Sequence, residues 1–308
     1  MKLLTGNAHP ELAKKVADCL EVDLVDATVN SFPDGETFVQ IHENIRDTDL
    51  YIIQPTCTPA NQNLMELLIM VDAARRASAG SITAVIPFFG YARQDRKDKS
   101  RVPITAKLVA NLLSSSGVDR VITIDLHAAQ IQGFFDIPVD HLYAKPVFTE
   151  VIRKKGWEDL VVLSPDVGGV KTARSYAEAF EAQLAIVAKH RINATEVETM
   201  DLIGDVEGKT VIIVDDMTET AGTLCAAARE AKRAGAKRIF AVVSHTLLVG
   251  PGVKRLEESD IEILLTTNTT TIEEAQCSKI EVVGIEKTLA EAIRRCHNGE
   301  SVSSLFEL

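Results

Sequence analysis

The segment from Val211 to Thr223 constrains the fold of this chain more than any other stretch. Its first four residues, Val-Ile-Ile-Val, are apolar and β-branched, which predicts a strand buried on both faces. Two adjacent carboxylates, Asp215 and Asp216, follow the strand, and an alanine-rich helix is predicted to begin at about Leu224. The pattern is typical of a central sheet strand whose carboxyl end leads into a helix.

Strand-like and helix-like segments alternate along the rest of the chain, which predicts a parallel α/β architecture. The predicted strands are Lys2–Thr5, Asp49–Gln54, Ile82–Ile86, Val121–Ile124, Leu160–Leu163, Leu184–Val187, Val211–Val214, Ile239–Val243 and Ile261–Leu265. The predicted helices lie near Pro10–Leu20, Leu64–Ala79, Ile104–Ser114, Val170–Ala179, Leu224–Ala234 and Leu289–Asn298.

The length of 308 residues favours two domains, and 46% hydrophobic residues can fill substantial cores. We place the boundary within Tyr143–Val147, where a proline precedes a new helix, which gives domains 1–145 and 146–308. The two halves also echo each other weakly. Val121–His127 and Val211–Met217 are both β-rich strands that end in an acid, although common α/β composition could produce the same likeness.

Charge and cysteine content limit the class of protein. The net charge of −11 argues against a nonspecific nucleic-acid binder, and it means that an anionic substrate needs a local basic patch. Five scattered cysteines without a CxxC pair favour reduced thiols. No apolar run approaches membrane-spanning length, and no signal peptide is apparent. We therefore expect a cytoplasmic protein that binds neither nucleic acid nor membrane.

The residues after the Val211–Val214 strand suit a phosphorylated sugar. Small and hydroxyl residues before a helix leave main-chain N–H groups unpaired, and these groups form a cradle for a phosphate. Asp215 and Asp216 could accept hydrogen bonds from sugar hydroxyls. The alternative is structural, an acidic turn and a capped helix, but two carboxylates at a strand end are costly unless paired or exposed in a cleft.

A second candidate segment runs from Arg93 to Arg101 and holds five basic and two acidic residues. It follows a predicted strand end, where its arginines could contact the oxygens of a triphosphate. A solvated loop is the alternative. Asp166, at another strand end before Gly168 and Gly169, is a candidate metal ligand or a helix N-cap. His127, by its chemistry alone, is a structural histidine, since magnesium prefers oxygen ligands.

Five motifs, in the same order, resemble those of the ribose-phosphate diphosphokinases (phosphoribosyl pyrophosphate synthetases), whose fold is phosphoribosyltransferase-like. They are Phe32–Glu36, Tyr91–Lys97, Asp125–Phe135, Ser164–Gly169 and Asp215–Thr223. The resemblance extends over nearly the whole chain. It implies two similar domains, each a mainly parallel sheet flanked by helices, with the ATP-binding segments in the first and the ribose 5-phosphate loop in the second.

The resemblance also implies an activity and its residues. The family transfers the diphosphoryl group of MgATP to the 1-hydroxyl of ribose 5-phosphate for nucleotide biosynthesis. The implied ATP contacts are Phe32, Asp34, Gly35, Glu36, Arg93, Gln94 and Arg96, and the implied Mg²⁺ ligands are His127 and Asp166. The implied ribose 5-phosphate contacts are Arg191, Asp215, Asp216, Glu219, Thr220, Ala221, Gly222 and Thr223.

By position, Lys189 matches the family's catalytic lysine and Arg191 its partner on a mobile loop. Two departures from the commoner family sequence stand out. Ala188-Lys-His-Arg replaces Asp-Lys-Arg-Arg, so His190 exchanges a fixed charge for one that titrates near neutrality. Glu219 stands where the family usually has Asp, and the longer side chain would hold a sugar hydroxyl at a different depth.

The resemblance further implies a homohexamer and an allosteric phosphate or ADP site. In the family, the Phe32–Glu36 motif serves a neighbouring subunit's active site. The allosteric residues map to Arg46, Ser78, Arg101, Ser301 and Ser303, with ordinary surface polarity as the alternative. Two rival functions share parts of this pattern. A phosphoribosyltransferase would need only the Asp215–Thr223 loop, and a noncatalytic subunit would tend to lose the catalytic lysine.

Overall fold

The computed structural model describes residues 1–190, 199–272 and 277–305. Its strands are β1 (Lys2–Thr5), β2 (Ala27–Ser31), β3 (Thr37–Ile41), β4 (Asp49–Ile53), β5 (Ser81–Ile86), β6 (Arg120–Ile124), β7 (Val139–Leu142), β8 (Leu160–Ser164), β9 (Gln183–His190), β10 (Thr199–Ile203), β11 (Thr210–Thr218), β12 (Arg238–Thr246), β13 (Ile263–Thr267) and β14 (Ile280–Val283). Its helices are α1 (Pro10–Leu20), α2 (Ala60–Arg76), α3 (Thr105–Ser116), α4 (Lys145–Lys155), α5 (Val170–Ala179), α6 (Gly222–Arg233), α7 (Gly252–Glu257) and α8 (Glu286–Asn298).

The chain forms two compact units, and it crosses from the first to the second between Tyr143 and Ala144, within the predicted boundary region. The predicted division gave all of residues 146–308 to the second domain. The structure instead joins Thr269–Thr271 and the described chain from Ile285 onward to the first unit. The reason is that α8 packs against α1, and His297 on α8 bonds Asp49 on β4 through Nδ1 and Oδ2, 2.7 Å apart.

The first unit contains a five-stranded parallel sheet in the order β1-β4-β5-β6-β7. Alternate residues of its strands pack on α2 and α3, as Ile52 on β4 and Met70 on α2 show. Strands β2 and β3 form an antiparallel hairpin that is a two-stranded sheet of its own. The hairpin carries the Phe32–Glu36 turn at its tip.

The second unit contains a seven-stranded sheet in the order β10-β9-β8-β11-β12-β13-β14, parallel except for the β9–β10 pair. The apolar β11 residues Val211 and Ile213 pack with the alanine-rich α6, as a strand buried within an α/β sheet requires. The predicted fold class is confirmed: both units are mainly parallel sheets with helices packed against them. The two larger sheets differ in strand order. In the five-stranded sheet the strands follow one another in chain order, whereas in the seven-stranded sheet the order runs backward from β10 to β8 and then forward from β11 to β14.

Candidate active site

The carboxyl ends of β8 and β11 form the strongest candidate for a ligand site in the second unit. From β8 the chain runs outward through β9 and β10, and it then returns to β11 on the other side of β8. Open α/β sheets bind ligands at the strand ends beside such a reversal. Asp166 follows β8, while Asp215 and Asp216 lie near the end of β11, so three predicted site residues flank this point.

The carboxylates of this region repel one another. Burial, followed by the negative charges of Asp216 and Asp166, raises the pKa of Asp215 to about 8. The main-chain amide of Asp216 donates to Asp215 Oδ1 at 3.0 Å, which opposes the shift without reversing it. Burial and the neighbouring charges therefore favour the protonated form of Asp215. A cation or donating hydroxyl groups would relieve the repulsion between these carboxylates.

The segment after β11 is held by main-chain bonds from the chain that follows β12. The amides of Leu247 and Val249 donate to the carbonyls of Thr218 and Glu219 at 2.9 and 2.8 Å. Ala221 takes a left-handed conformation with φ 55°, and α6 starts at Gly222. The predicted loop thus becomes a fixed turn that ends at a helix N-terminus, where main-chain N–H groups can receive a phosphate.

Arg255 on α7 also supports this turn, a contact that the sequence analysis missed. Its Nη1 donates to the carbonyl of Thr220 at 3.2 Å. The residue lies far along the chain from the loop and belongs to no motif, so no local sequence signal could have identified it. The guanidinium fixes the main chain of the turn and adds a positive charge beside it.

Asp166 lies in a short turn that precedes α5. Its Oδ1 accepts the amide of Gly169 at 3.0 Å, and Ser164 Oγ donates to its carbonyl oxygen at 2.7 Å. The predicted N-cap alternative is wrong, because α5 begins at Val170 with Gly169 as its N-cap and has no side-chain capping bond. The bond from Gly169 to Asp166 instead closes the turn before the helix, and it uses only part of the acceptor capacity of the carboxylate, which has room for about four donors or ligands. Stabilising this turn and binding a metal are therefore compatible at this residue.

The Phe32–Glu36 turn presents its aromatic ring to solvent. The amide of Phe32 donates to the Glu36 carbonyl at 2.7 Å, and Gly35 takes a φ of 94° that favours glycine. Phe32 is 49% exposed and meets Phe38 edge to face at 5.5 Å between ring centroids. The ring is therefore not a core anchor for the turn, and its outer face is available to stack on a flat heterocycle.

The basic segment from Arg93 to Arg101 is largely exposed, and hydrogen bonds at Gln94 hold it in place. The Gln94 amide donates to the Tyr91 carbonyl at 2.9 Å, its carbonyl accepts from Ala106 at 3.2 Å, and its Oε1 accepts from Thr105 Oγ1 at 2.5 Å. The neighbouring side chains of Arg93, Arg96 and Arg101 are exposed. A loop that is fixed at one residue and carries exposed guanidinium groups around it suits an anionic ligand.

His127 lies just past the end of β6, in the first unit, and its side chain is exposed. The segment that carries it is fixed by two bonds. The amide of Asp125 donates to the Leu142 carbonyl at 2.9 Å, and the amide of Leu126 donates to His141 Nε2 at 2.8 Å. His141 was not singled out by the sequence analysis, because its role depends on the pairing of β7 with β6.

The structure describes only the main chain of Lys189, the first of the two predicted catalytic residues. Lys189 lies in β9, where its main chain pairs with Met200 of β10. Its side chain and the whole of Arg191 lie outside the described part of the chain. The sequence predicted a strand that ends at Val187 with Lys189 in a loop after it, whereas β9 continues to His190 and Lys189 lies within the strand.

The predicted allosteric residues all belong to the first unit. Ser301 Oγ donates to Ser303 Oγ at 3.0 Å, and its carbonyl accepts from Arg295 at 2.8 Å. The Ser78 carbonyl accepts the amide of Asp47, which follows Arg46, at 2.9 Å. The structure thus links Ser301 with Ser303 and Ser78 with the turn of Arg46, and an effector site remains a prediction.

The described residues contain neither a preformed cluster of metal ligands nor a membrane-spanning helix. Across residues 1–190, 199–272 and 277–305, no group of three or more His, Cys, Asp and Glu side chains has the geometry of a metal site. Among the helices in the described ranges, none is both long and apolar enough to cross a membrane.

The comparisons decide the family. Residues 1–117 match the family described as the N-terminal domain of ribose phosphate pyrophosphokinase, and residues 189–307 match the phosphoribosyl synthetase-associated domain. Ribose-phosphate pyrophosphokinase A of Dictyostelium discoideum is 56% identical over 309 residues, 99% of this chain and 98% of that protein. The ribose-phosphate pyrophosphokinase of Vibrio vulnificus is 55% identical over 310 residues, 99% of each chain. The chain belongs to the ribose-phosphate pyrophosphokinase family.

A solved structure agrees with this membership of the ribose-phosphate pyrophosphokinases. The phosphoribosylpyrophosphate synthetase of Mycobacterium smegmatis superimposes with a TM-score of 0.92 at 41% identity, covering 97% of this chain and 99% of that one. The family resemblance, the fold class and the prediction of an enzyme are confirmed. The roles of individual residues stay predictions.

Proposed function

We propose that this enzyme transfers the diphosphoryl group of MgATP to the 1-hydroxyl of ribose 5-phosphate. The hydroxyl oxygen attacks the β-phosphorus, the bond from that phosphorus to the α,β-bridging oxygen breaks, and AMP leaves with the bridging oxygen. The products are phosphoribosyl pyrophosphate, a precursor for nucleotide biosynthesis, and AMP. In such a transfer the protein mainly positions the reactants and neutralises charge.

The second unit supplies the sugar site in this proposal. The turn from Glu219 to Thr223 holds the 5-phosphate at the N-terminus of α6, where main-chain N–H groups are available. Asp215 and Asp216 accept hydrogen bonds from the ribose hydroxyls. The pKa of Asp215 is raised by burial and by its neighbours, and hydroxyl groups that donate to it would lower that pKa and favour its ionised form.

The first unit supplies the nucleotide contacts. Phe32 stacks on the adenine, while Asp34, Gly35 and Glu36 contact the nucleoside. Arg93, Gln94 and Arg96 hold the triphosphate. Support comes from the exposed Phe32 ring and from the exposed guanidinium groups beside the anchored Gln94.

His127 and Asp166 would hold the magnesium of MgATP, as the family resemblance implies. When bound, Mg²⁺ would draw charge from the phosphate oxygens and reduce repulsion among the carboxylates. Carboxylate oxygens are ligands that this ion prefers, and Asp166 keeps acceptor capacity beyond its bond to Gly169. Asp166 contributes its negative charge to the raised pKa of Asp215, which supports a cation near these carboxylates.

Lys189 and Arg191 would close over the transferring group, stabilise its charge and exclude water. His190, beside them, would add a positive charge that depends on pH near neutrality. Ala188 and Glu219 would affect rate and sugar affinity rather than the type of reaction.

The observation that carries the proposal is the carboxylate cluster beside the α6 N-terminus at the strand-order reversal, in a chain of this family. The test is incubation with ATP, Mg²⁺ and ribose 5-phosphate. We expect AMP and phosphoribosyl pyrophosphate in equal amounts, with neither formed when the sugar is omitted or EDTA is added. ADP in place of AMP, or no nucleotide product, would overturn the proposal.

The remaining parts of this proposal concern assembly and setting. A homohexamer, phosphate and ADP as effectors, and a cytoplasmic location follow from the family resemblance and from the scattered cysteines. Mass measurement in solution tests the hexamer. Substitution of Ser303 by Ala tests the effector site, because loss of phosphate and ADP responses with normal AMP formation is the expected result.

A further inference from the structure

The side chain of Glu66 is a buried carboxylate in the first unit that the proposed reaction does not use. It lies on α2 and is 1% exposed. Three amide groups donate to it: the main-chain N–H of Asn7 at 2.6 Å and the Gln54 side chain at 2.8 Å reach Oε1, and the Asn7 side chain at 2.9 Å reaches Oε2. Burying a carboxylate is costly unless donors replace water, so this arrangement is a built one.

The chain after β1 is shaped to reach this carboxylate. A Cβ on Gly6 would lie 2.5 Å from Gln54 Oε1 and 2.6 Å from Glu66 Oε1, so no side chain fits there. Gln54 Oε1 in turn accepts the amide of Ala8 at 3.2 Å. The segment from Gly6 to Ala8 is therefore clamped between the end of β4 and helix α2.

Asn7 connects this clamp to the hairpin. Its Nδ2 donates one hydrogen to Glu66 Oε2 and the other to the main-chain carbonyl of Val29 at 2.9 Å. Val29 lies in β2, three residues before Phe32. Since the Asn7 side chain is oriented by the carboxylate, the direction of its bond to Val29 is set by Glu66.

The hairpin is a two-stranded sheet of its own, so its position is set by its packing on α2 and by bonds to the chain around it. At its base, the amide of Val25 donates to the Leu3 carbonyl at 2.7 Å, and Lys2 pairs with Glu43. Asn7 adds a directional bond on β2, closer along the strand to the turn. Val39 of β3 adds packing against the core, which is less directional.

We infer that Glu66, acting through Asn7, is a positioning residue that sets where the Phe32–Glu36 turn sits and thereby the affinity for ATP. This inference rests on the proposed role of the turn in ATP binding. Glu66 contacts no substrate in this account. The proposed effect passes from the carboxylate to the Asn7 amide and from that amide to the Val29 carbonyl.

The first test is Glu66→Gln, which keeps size and shape. A glutamine presents one oxygen and one NH₂ group, and its NH₂ group would face the NH₂ group of Asn7. If Asn7 turns its amide to accept from Gln, the Val29 carbonyl loses its donor. We expect the KM for ATP to rise roughly three- to tenfold, the size of one lost hydrogen bond. The KM for ribose 5-phosphate should stay within about twofold.

Asn7→Ala is the second variant. It removes the side-chain bonds to Val29 and to Glu66 Oε2, and it keeps the main-chain bond to Glu66 Oε1. Asn7 itself is exposed, so the variant leaves no cavity in the core. It should reproduce the rise in KM for ATP. The matched control is Asp72→Asn, an exposed carboxylate on the same helix that pairs with Arg76, and it should leave both KM values unchanged.

A readout separate from activity is amide hydrogen exchange across residues 27–41. Both variants should exchange faster in the hairpin, while residues of β4 and β5 keep their wild-type protection. Unchanged exchange in the hairpin would overturn the inference, as would faster exchange with no change in the KM for ATP. Failure of the proposed function is distinguished by the wild-type enzyme, which would then form no AMP.

Discussion

The main-chain amide of Asp216 donates to Oδ1 of its neighbour Asp215 at 3.0 Å, and Asp215 still has a pKa raised from 3.8 to about 8. One favourable bond therefore does not offset the burial and the two nearby negative charges. A cation or sugar hydroxyl groups would stabilise the ionised carboxylates, so the raised pKa of Asp215 is in keeping with a site that binds them.

The first prediction concerns stability and pH. A carboxyl whose folded pKa is raised contributes stability that is fully present below its unfolded pKa and is lost as pH rises through its folded pKa. The ligand-free enzyme should therefore lose stability through Asp215 as pH rises from about 4 to about 8. Asp215→Asn should show a flatter fall in Tm over that range, measured by calorimetry. The exposed Asp260→Asn should keep the wild-type slope, and a variant slope equal to the wild-type slope would contradict the assignment.

The second prediction separates stabilisation of the turn before α5 from metal binding at Asp166. Asn at this position can still accept the Gly169 amide, but it lacks the negative charge. We expect Asp166→Asn to keep its Tm within about 2 °C of wild type. The Mg²⁺ concentration for half-maximal activity should rise by at least roughly tenfold, the size of effects from weaker outer contacts at metal sites. Unaltered Mg²⁺ dependence would mean that Asp166 only stabilises the turn before α5.

Gly222→Ala tests the phosphate cradle. The added Cβ would lie 3.4 Å from Arg255 Nη1 and 3.6 Å from Thr220 Oγ1, which are ordinary contacts, so the fold should be kept. A methyl group at the first residue of α6 would nevertheless obstruct a phosphate that approaches the main-chain N–H groups. The KM for ribose 5-phosphate should rise roughly tenfold or more, as expected when a charge-assisted hydrogen bond is lost. An equal rise in the KM for ATP would instead indicate a general defect.

The fourth prediction concerns Lys189. If this residue contacts the transferring group only in the transition state, Lys189→Ala should lower kcat by about 10²–10³ with little change in fold. Circular dichroism and Tm check the fold, and the exposed Lys232→Ala on α6 controls for the loss of one positive charge. A near-wild-type kcat would exclude the lysine from catalysis.

The local sequence pattern was sufficient to predict most of the buried strands and helices. Strand β1 and helices α1 and α5 have their predicted bounds, and Val211–Val214 lies inside β11. These segments have a regular spacing of apolar residues, and proline, glycine or charged residues mark their ends. The hairpin strands β2 and β3, by contrast, carry polar residues such as Asn30 and Gln40 on a partly exposed sheet, so no hydrophobic run marked them.

Contacts between segments that lie far apart in the chain could not be predicted from the local sequence pattern. The helix α8 was found in sequence, but its place against α1 depends on pairs such as His297 with Asp49. Within the candidate site, Asp166 and the pair Asp215 and Asp216 were found because each follows an apolar strand. Arg255, His141 and Glu66 were missed, since each acts on a main-chain or amide group brought near it only by folding.

The measurement that tests the central claim most directly follows the oxygen that bridges the α- and β-phosphorus atoms of ATP. ATP labelled with ¹⁸O at that position is incubated with the enzyme, Mg²⁺ and ribose 5-phosphate, and the products are examined by ³¹P NMR. Attack at the β-phosphorus predicts that the label appears in AMP. Label in the diphosphate of the sugar product, or formation of ADP, would contradict the account.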